Sequence, residues 1–528
     1  MNNRFSSMSR HSQLDRRRFL MAAASVAGLP LVGVTACGTG EPQFSTNPFT
    51  LGVASGDPTP DGIVLWTRLA TDPLNGGGLP PDQSYEVSWR VASDSNMLQE
   101  VQKGTATATP ELGHSVHVEV EGLEPGRHYW YEFRAGSEES PRGRTRTADA
   151  ANAPLDRLRM GFATCQHYEA GYFTAYRHMV AEDLDIVFHL GDYIYEGGPT
   201  KESAGRPRLH NSPEIMTLAD YRNRYVLYKL DPDLQAAHAA FPWSVTWDDH
   251  ELDNNYASDI PEEKGPMERE AFLARRAAAY QAYYEMMPLR RSSMPKGADM
   301  RLYRRLSYGN LAQFDVLDTR QYRTDQPCGD GNKPLCDEAF NPEATMLGTE
   351  QERWLFDGLR KSQARWKVLP QQVMMAPLDR APGPEKIYSM DKWAAYPAGL
   401  NRVLSFLKEG SIDNTVVLTG DIHNHWVCNL SSDLNDADAA PVATEFVTTS
   451  ISSGGDGSDL REGVEQMMSE NPFVQFFNNQ RGYVSCTITP ENFQADYKVM
   501  DFVEKPGGSI STRASFAVEN GKAGAVKA

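Results

Sequence analysis

The chain has 528 residues, 40% hydrophobic and 23% charged, which excludes bulk disorder and gives room for more than one core. Its formal net charge is −18. Phosphate backbones need Lys/Arg neutralisation, so this acidity argues against nucleic acid as a partner, and a phosphate-bearing substrate would call for metal ions or a local arginine pocket. Residues 1–37 stand apart from any core. Arg16, Arg17 and Arg18 precede Phe19, Leu20 and a small-residue apolar stretch interrupted by Gly28, Pro30 and Gly33. That layout reads as a secretory signal of the twin-arginine type rather than a membrane anchor. It implies engagement of the twin-arginine translocation machinery, export of a folded protein, and a periplasmic or extracellular location. The tetrapeptide "VTAC" at 34–37 resembles a bacterial lipobox. In such a motif Cys37 becomes lipidated and attaches the chain to a membrane; ordinary signal-peptidase cleavage near the same alanines is the competing outcome.

Residues 47 to about 150 alternate with period 2, as in "YEVSWRVAS" and "HSVHVEVEGLEPGRHYWYEFRAG", with Gly and Pro at the turns. The pattern predicts a small fibronectin/Ig-like β-sandwich without obvious chemistry of its own. From about 155 to 505 short apolar runs trade places with helical patterns: "LRMGFATC", "GYFTAYRHMVAEDL", "DIVFHLGD", then the long helix "MEREAFLARRAAAYQAYYEMM". A further helix is expected to open at Thr349, with Glu352 completing a capping box. Strands alternating with helices predict α/β layering. Cys328 and Cys336 bracket a Gly/Pro-containing loop, and in an exported protein a disulfide is expected there. With Cys37 at the signal junction the remaining count is odd, so at least one thiol is free. Residues 508–528 are small and polar without a strong period and are expected to form a loosely held tail.

The informative residues sit where buried runs stop. "MGFATC" ends at Cys165, "VFHLGD" at Asp192, "WSVTWDDHE" at Asp248, Asp249, His250 and Glu251, "WKVLPQQ" at Gln371 and Gln372, and "TVVLTGDIHNH" at Asp421 and His423. In α/β sheets the crevice beyond the carboxyl ends of the strands is where ligands bind. Carboxylates crowded there would repel one another unless cations neutralise them, so the pattern predicts metal. Tyr195, three residues after Asp192, can share an ion with it across a turn. Asp421 and His423, two apart, would fall on one side of an extended segment. Mixed oxygen, nitrogen and sulfur donors predict one harder and one softer position.

These motifs, "GDYIY", "WDDHE", "LDTRQYR", "WKVLPQQV" and "TGDIHNHW", follow "PFTLGVASGDPTPDGIVLWTRL" in an order that resembles the alkaline phosphatase D (PhoD-like) family over about residues 48–505. The resemblance implies an α/β (α+β) fold, the βαβ sandwich of calcineurin-like metallophosphoesterases, related to purple acid phosphatases. It implies an iron(III) site made by Cys165, Asp192, Tyr195 and His423, with Asp192 bridging to a calcium site completed by Asp249, Asp421 and Gln371 or Gln372. A second calcium is implied as well, for which Asp248 and Glu251 are the nearest acids; zinc or manganese are the alternative metals.

The expected reaction is hydrolysis of phosphomonoesters and phosphodiesters by a metal-bound hydroxide. Arg320 and Arg323 are expected to grip the phosphate oxygens, the competing reading being simple pairing with acids such as Asp318. His250 is expected to act as general acid or as an electrostatic stabiliser, and His425 is a contact residue or internal packing. The partners would be small phosphate esters or envelope phosphodiesters. A specialised phospholipase D-like or teichoic-acid-type diesterase is the alternative within this chemistry. A non-catalytic, metal-stabilised envelope lipoprotein is the alternative outside it, since closed structural sites need no spare arginines.

Overall fold

The computed structural model describes residues 42–262, 267–433 and 439–528. The twin-arginine and lipobox readings at 1–37 lie outside the described residues. Among those described, no helix is long and apolar enough to cross a membrane.

The run Ile186–His189 is buried at every position, as a strand covered on both faces must be. It pairs in parallel with Leu158–Ala163 on one side (Val187 opposite Gly161) and with Pro242–Val245 on the other (Val187 opposite Trp243). These three form the centre of a ten-stranded sheet. A second sheet of eight strands has a parallel centre too: Ala312–Val316, Trp366–Pro370, Thr415–Thr419 and Pro441–Val447. The sheets meet face to face through Phe162, Phe188 and Val484 of the first and Phe314, Val368 and Phe446 of the second. The rings of Phe188 and Phe314 stack at 4.8 Å.

Helices close the outer faces. α1 (Thr174–Val180), α2 (Leu218–Lys229), α3 (Pro232–Ala240) and α4 (Arg269–Met286) cover the first sheet with Tyr176, Tyr225, Leu234, Phe272 and Tyr283. α5 (Gly348–Lys361) and α6 (Pro397–Glu409) cover the second with Leu355, Leu359, Leu400, Val403 and Leu404. The spacing of these apolar residues by three and four is what gives each helix one buried stripe. α3 starts where Pro232 occupies its first turn and Asp231 accepts the N–H groups of Asp233 and Leu234, the usual solution for unpaired donors at a helix start. The outcome is the expected α/β (α+β) layering: helices, sheet, sheet, helices.

Three local expectations are revised. The amino-terminal sandwich is present but does not own both its walls. Tyr85–Ala92, Glu100–Ala108 and His128–Ala135 belong to a separate five-stranded sheet, whereas Val53–Thr59, Gly62–Arg68 and Ser115–Glu121 extend the ten-stranded sheet itself. The splice is the parallel pairing of Ser55 with Pro242 and Gly56 with Trp243. Residues 508–528 are no loose tail. Ile510–Glu519 pairs along the whole of Asn492–Met500 and then with Ala525–Lys527, burying Phe516 and Val518; the small residues between them masked a period of 2. The helix at 349 has no capping box. Its first N–H groups, Leu347 and Gly348, donate to the hydroxyl of Thr345, while Glu352 pairs with Arg402 at 3.0 Å. The disulfide Cys328–Cys336 is formed, and Cys165, Cys428 and Cys486 are free and buried.

Candidate active site and metal centre

The parallel strands of both sheets end at one edge, and past that edge the chains stay bonded. Leu190 N–H reaches Ala163 O, Thr246 N–H reaches His189 O, and Gly420 N–H reaches Gln372 O. Two of these exits read Gly-Asp because the backbones touch there. A Cβ on Gly191 would lie 2.4 Å from Asp248 N and Cβ, and one on Gly420 would lie 2.6 Å from Thr164 Oγ1. Beyond the exits Cys165, Asp192, Asp421 and His423 all hold positive φ, between 56° and 66°. Such conformations are disfavoured outside glycine and cluster at functional sites. Asp421 and His423 are therefore not on an extended segment; the left-handed steps send them to different groups.

Ligating atoms of Cys165, Asp192 and His423 lie within 4.8 Å of one another, as do those of Asp192, Asp249 and His250, and those of Asp248, Asp249 and Asp421. Two atoms bound to one ion at about 2.0–2.4 Å can be no farther apart than about twice that. Asp192 belongs to the first two groups and Asp249 to the last two, so the three form a continuous chain. The Tyr195 hydroxyl joins the first, 2.9 Å from Asp192 Oδ2, 3.3 Å from His423 Nε2 and 2.7 Å from Ser453 Oγ.

The electrostatics call for a cation. Asp192 Oδ1 and Asp248 Oδ2 are buried without a hydrogen-bond partner, which is costly for a carboxylate. Burial, then the charges of Asp249, Glu251 and Asp421, push Asp192 well above the usual carboxylate range despite His250. Burial and the Asp192 charge push the Cys165 thiol up. Burial holds His423 down to about 3, so its imidazole is neutral, the form that ligates metal. The donor set and its unmatched charge fit a pair of cations.

The expected phosphate grips are placed otherwise. Arg320 and Arg323 reach the acids, but both guanidinium groups are sealed, with side chains 0% exposed. Arg320 donates to Asp248 Oδ1 at 2.5 Å and to both oxygens of Asp391 at 2.7 and 3.1 Å, and lies 3.4 Å from Asp249 and 3.6 Å from Asp421. Arg323 donates to Asp391 Oδ1 at 2.6 Å and to the carbonyls of Asn255 and Tyr256 at 2.9 Å. They are internal counter-ions, paired with acids other than Asp318.

His250 packs on the Tyr195 ring at 4.2 Å, with Nδ1 2.7 Å from Glu196 Oε2. Burial opposes its charge, yet Glu196, Asp192 and Asp249 together hold it well above the ordinary imidazole value. Glu251 is a clamp: its oxygens accept the N–H groups of Asp192 at 3.0 Å, Asp248 at 2.8 Å and Tyr193 at 2.5 Å. Gln372 is tied to Thr319, Thr246 and the Leu317 carbonyl. Gln371 donates to Val373 O and Thr419 Oγ1, and its carbonyl accepts only the Trp393 indole at 3.1 Å. Neither glutamine touches Asp249 or Asp421. His425 accepts Thr449 N–H and packs edge-on to Tyr497 at 4.9 Å, inside the core.

Sequence reasoning missed Glu196, Asp391, Lys392 and Ser453. All four sit in irregular loops, where no periodicity marks them. It also missed His167, Glu169 and His210, a neighbouring group within 4.8 Å. Glu169 there is bound to Ser203 and Arg206, both His210 nitrogens are engaged by Gly197 O and Tyr228 OH, and His167 Nδ1 is buried without a hydrogen-bond partner.

Layered sheets whose exits gather Asp, His, Cys and Tyr define a metal-dependent hydrolase architecture, and comparison with known proteins agrees. The family model for PhoD-like phosphatase matches residues 160–497, and that for the PhoD-like phosphatase N-terminal domain matches 35–149. The chain belongs to the PhoD-like phosphatase family and is a phosphoric ester hydrolase. It is 54% identical over 522 residues to alkaline phosphatase D of Bacillus subtilis (strain 168), covering 97% of this chain and 89% of that one. The solved structure of PhoD superimposes with a TM-score of 0.90 at 56% identity, covering 92% of this chain and 93% of that one. The non-catalytic lipoprotein alternative is thereby set aside.

Proposed function

We propose that the enzyme hydrolyses phosphomonoesters and phosphodiesters at a centre of one iron(III) and one or two calcium ions. Cys165, Asp192, Tyr195 and His423 would hold the iron, and Asp192, Asp249 and Asp421, with Gln371, the neighbouring calcium. The observation that carries this reading is the chain of donor groups sharing Asp192 and Asp249. Cations held there would supply Lewis acidity and an activated water. The softer sulfur, phenol and imidazole donors suit iron, and the all-carboxylate end suits calcium.

The protein's own residues supply orientation and the proton. With Nδ1 engaged by Glu196, His250 is left with Nε2 to protonate a departing alkoxide. Glu251 fixes both ligand loops through their N–H groups. Arg320 and Arg323 act as positioning residues, keeping Asp248 and Asp391 in place. Residues 1–37 would direct export by the twin-arginine route to the periplasm or cell exterior, with Cys37 as a site of membrane attachment. Retention of the precursor after R16K/R17K substitution tests that part.

The central test measures turnover of p-nitrophenyl phosphate and bis-p-nitrophenyl phosphate with and without chelator, alongside elemental analysis and a visible spectrum. Both esters should be cleaved, chelation should stop it, and thiolate or phenolate on iron(III) should colour the sample. Colourless, iron-free yet active protein would overturn the iron assignment. Inactivity of metal-replete protein on the diester would remove the diesterase half.

A further inference from the structure

Sealing of Arg320 and Arg323 leaves the substrate phosphate without the grip that was expected, and a lysine stands at the same place. Lys392 Nζ lies 2.5 Å from Asp421 Oδ2 and 2.8 Å from Asp391 Oδ2, and its side chain keeps 15% exposure. It thus approaches the carboxylates from the solvent side, while the arginines approach from the core. An ammonium carries three donors; Asp391 Oδ2 accepts one of them, while Asp421 Oδ2 is held as an ion pair without a hydrogen bond. It is also a point charge on a flexible stem, able to turn toward a ligand where a planar guanidinium locked to several acceptors is not.

The backbone around Lys392 is fixed, and its side chain ends between two carboxylates. Lys392 N–H donates to Ser389 O at 3.2 Å, and the next residue anchors its indole on Gln371 at 3.1 Å. Ser389 and Tyr388 pair with Asn332 and Lys333 inside the loop closed by the Cys328–Cys336 disulfide. Asp391 in turn is held by Arg320 and Arg323 at 2.7 and 2.6 Å. Oδ1 takes both arginines, and Oδ2, which also accepts Arg320 at 3.1 Å, steadies the ammonium.

We propose that Lys392 contacts the phosphate oxygens of the substrate, with Asp391 as the positioning residue that holds the ammonium at the mouth of the site; this rests on the hydrolase reading above. A cation at Asp421 would take over the charge of that carboxylate and leave Nζ free to face an incoming oxygen. The contact would be a charge-assisted hydrogen bond and would act on binding of monoesters and of the phosphate product alike.

The test uses the full metal-loaded chain with K392M and K392R. Calorimetric titration with inorganic phosphate, KM and kcat on p-nitrophenyl phosphate, elemental analysis and thermal unfolding are measured together. K392M should weaken phosphate binding and raise KM by about tenfold or more, the order expected for one hydrogen bond to a charged group. Metal content should be unchanged, and K392R should recover part of the loss. Unchanged phosphate affinity in a folded, metal-replete K392M protein would overturn the proposal. Loss of metal from K392M would overturn it as well, because Lys392 would then be only a partner of Asp421. Should K392M fail to fold, K392R and K392Q carry the same titration. Phosphate binding is read without turnover, so an inactive wild-type protein would count against the hydrolase mechanism and not against this contact.

Discussion

The two ends of the donor chain are built on opposite electrostatic plans. Around Asp248, Asp249 and Asp421 the protein supplies its own cations: Arg320 within 3.6 Å of all three and Lys392 on Asp421. Around Cys165, Asp192, Tyr195 and His423, among the described residues, no lysine or arginine pairs with any donor, and hydroxyls do the contacting instead. One end is partly balanced within the fold, with Asp248 Oδ2 and Asp421 Oδ2 still without hydrogen-bond partners, and the other has, among the described residues, no cationic side chain paired with its donors. The difference separates two duties that acids at strand ends can have. Breaking the self-balanced end should hurt folding first, whereas breaking the other should hurt metal binding and chemistry while sparing the fold.

Asp192 gives the largest expected effect, because it belongs to two of the three donor groups. D192N should lower kcat/KM by well over the ~100-fold typical of losing an outer partner of a metal ligand. Elemental analysis should show metal lost, and the metal-free protein should melt no lower than wild type, since a buried carboxylate held well above its usual range is removed. Retained metal and activity would erase the contrast between the two ends.

R320M probes the opposite end. It leaves Asp248 buried without its counter-charge and takes one of three cations from Asp391, so denaturant unfolding should show a loss of about 3–5 kcal/mol. An unchanged midpoint would mean that these acids are not balanced from within.

H250Q sits where the two ends meet. It should cost about 100-fold in kcat, the lower range for a lost general acid. If His250 gives up a proton, activity should fall as pH rises through its elevated value and that alkaline limb should vanish in H250Q. A limb that persists in the variant assigns the proton to another group.

The smallest effect belongs to neither end and serves as the control. Burial pushes His117 down to about 4 and His189 down to about 3, from 6.5. Below 6.5 the unfolded chain takes up protons that the folded chain refuses until pH nears those lower values. Stability from these groups is therefore complete above 6.5 and is lost as pH falls, at up to about 1.4 kcal/mol per pH unit for each. Melting temperature of the metal-loaded protein should drop between pH 6.5 and 5, and less in stripped protein, where the raised carboxyls of Asp192 and Glu251 gain stability as pH falls. A melting temperature of the metal-loaded protein that stays level or climbs over that interval would refute neutral burial of these two histidines.

Much of the site could be read before any coordinates, for a physical reason. A parallel strand covered on both faces is mostly apolar, as in residues 186–188, so a carboxylate, thiol or imidazole just past it stands out as a residue released from the core. That contrast marked Cys165, Asp192, Asp249, Asp421 and His423. It failed for Asp391 and Lys392, which lie on an irregular loop with ordinary charged neighbours. Strands toward the sheet margin gave less contrast still: in Ile510–Glu519, beside the edge strand Ala525–Lys527, the buried bulky residues are Phe516 and Val518.

Sequence alone determined which residue types stand at the strand exits, the layered class of the fold, and the bracket that the two loop cysteines close, because each follows from local chemistry along the chain. Tertiary structure alone decided which acids are brought together and which are matched by arginine, and it sealed Arg320 and Arg323 inside while leaving Lys392 partly exposed. Those outcomes depend on distances and burial between segments hundreds of residues apart, quantities that no stretch of sequence carries by itself.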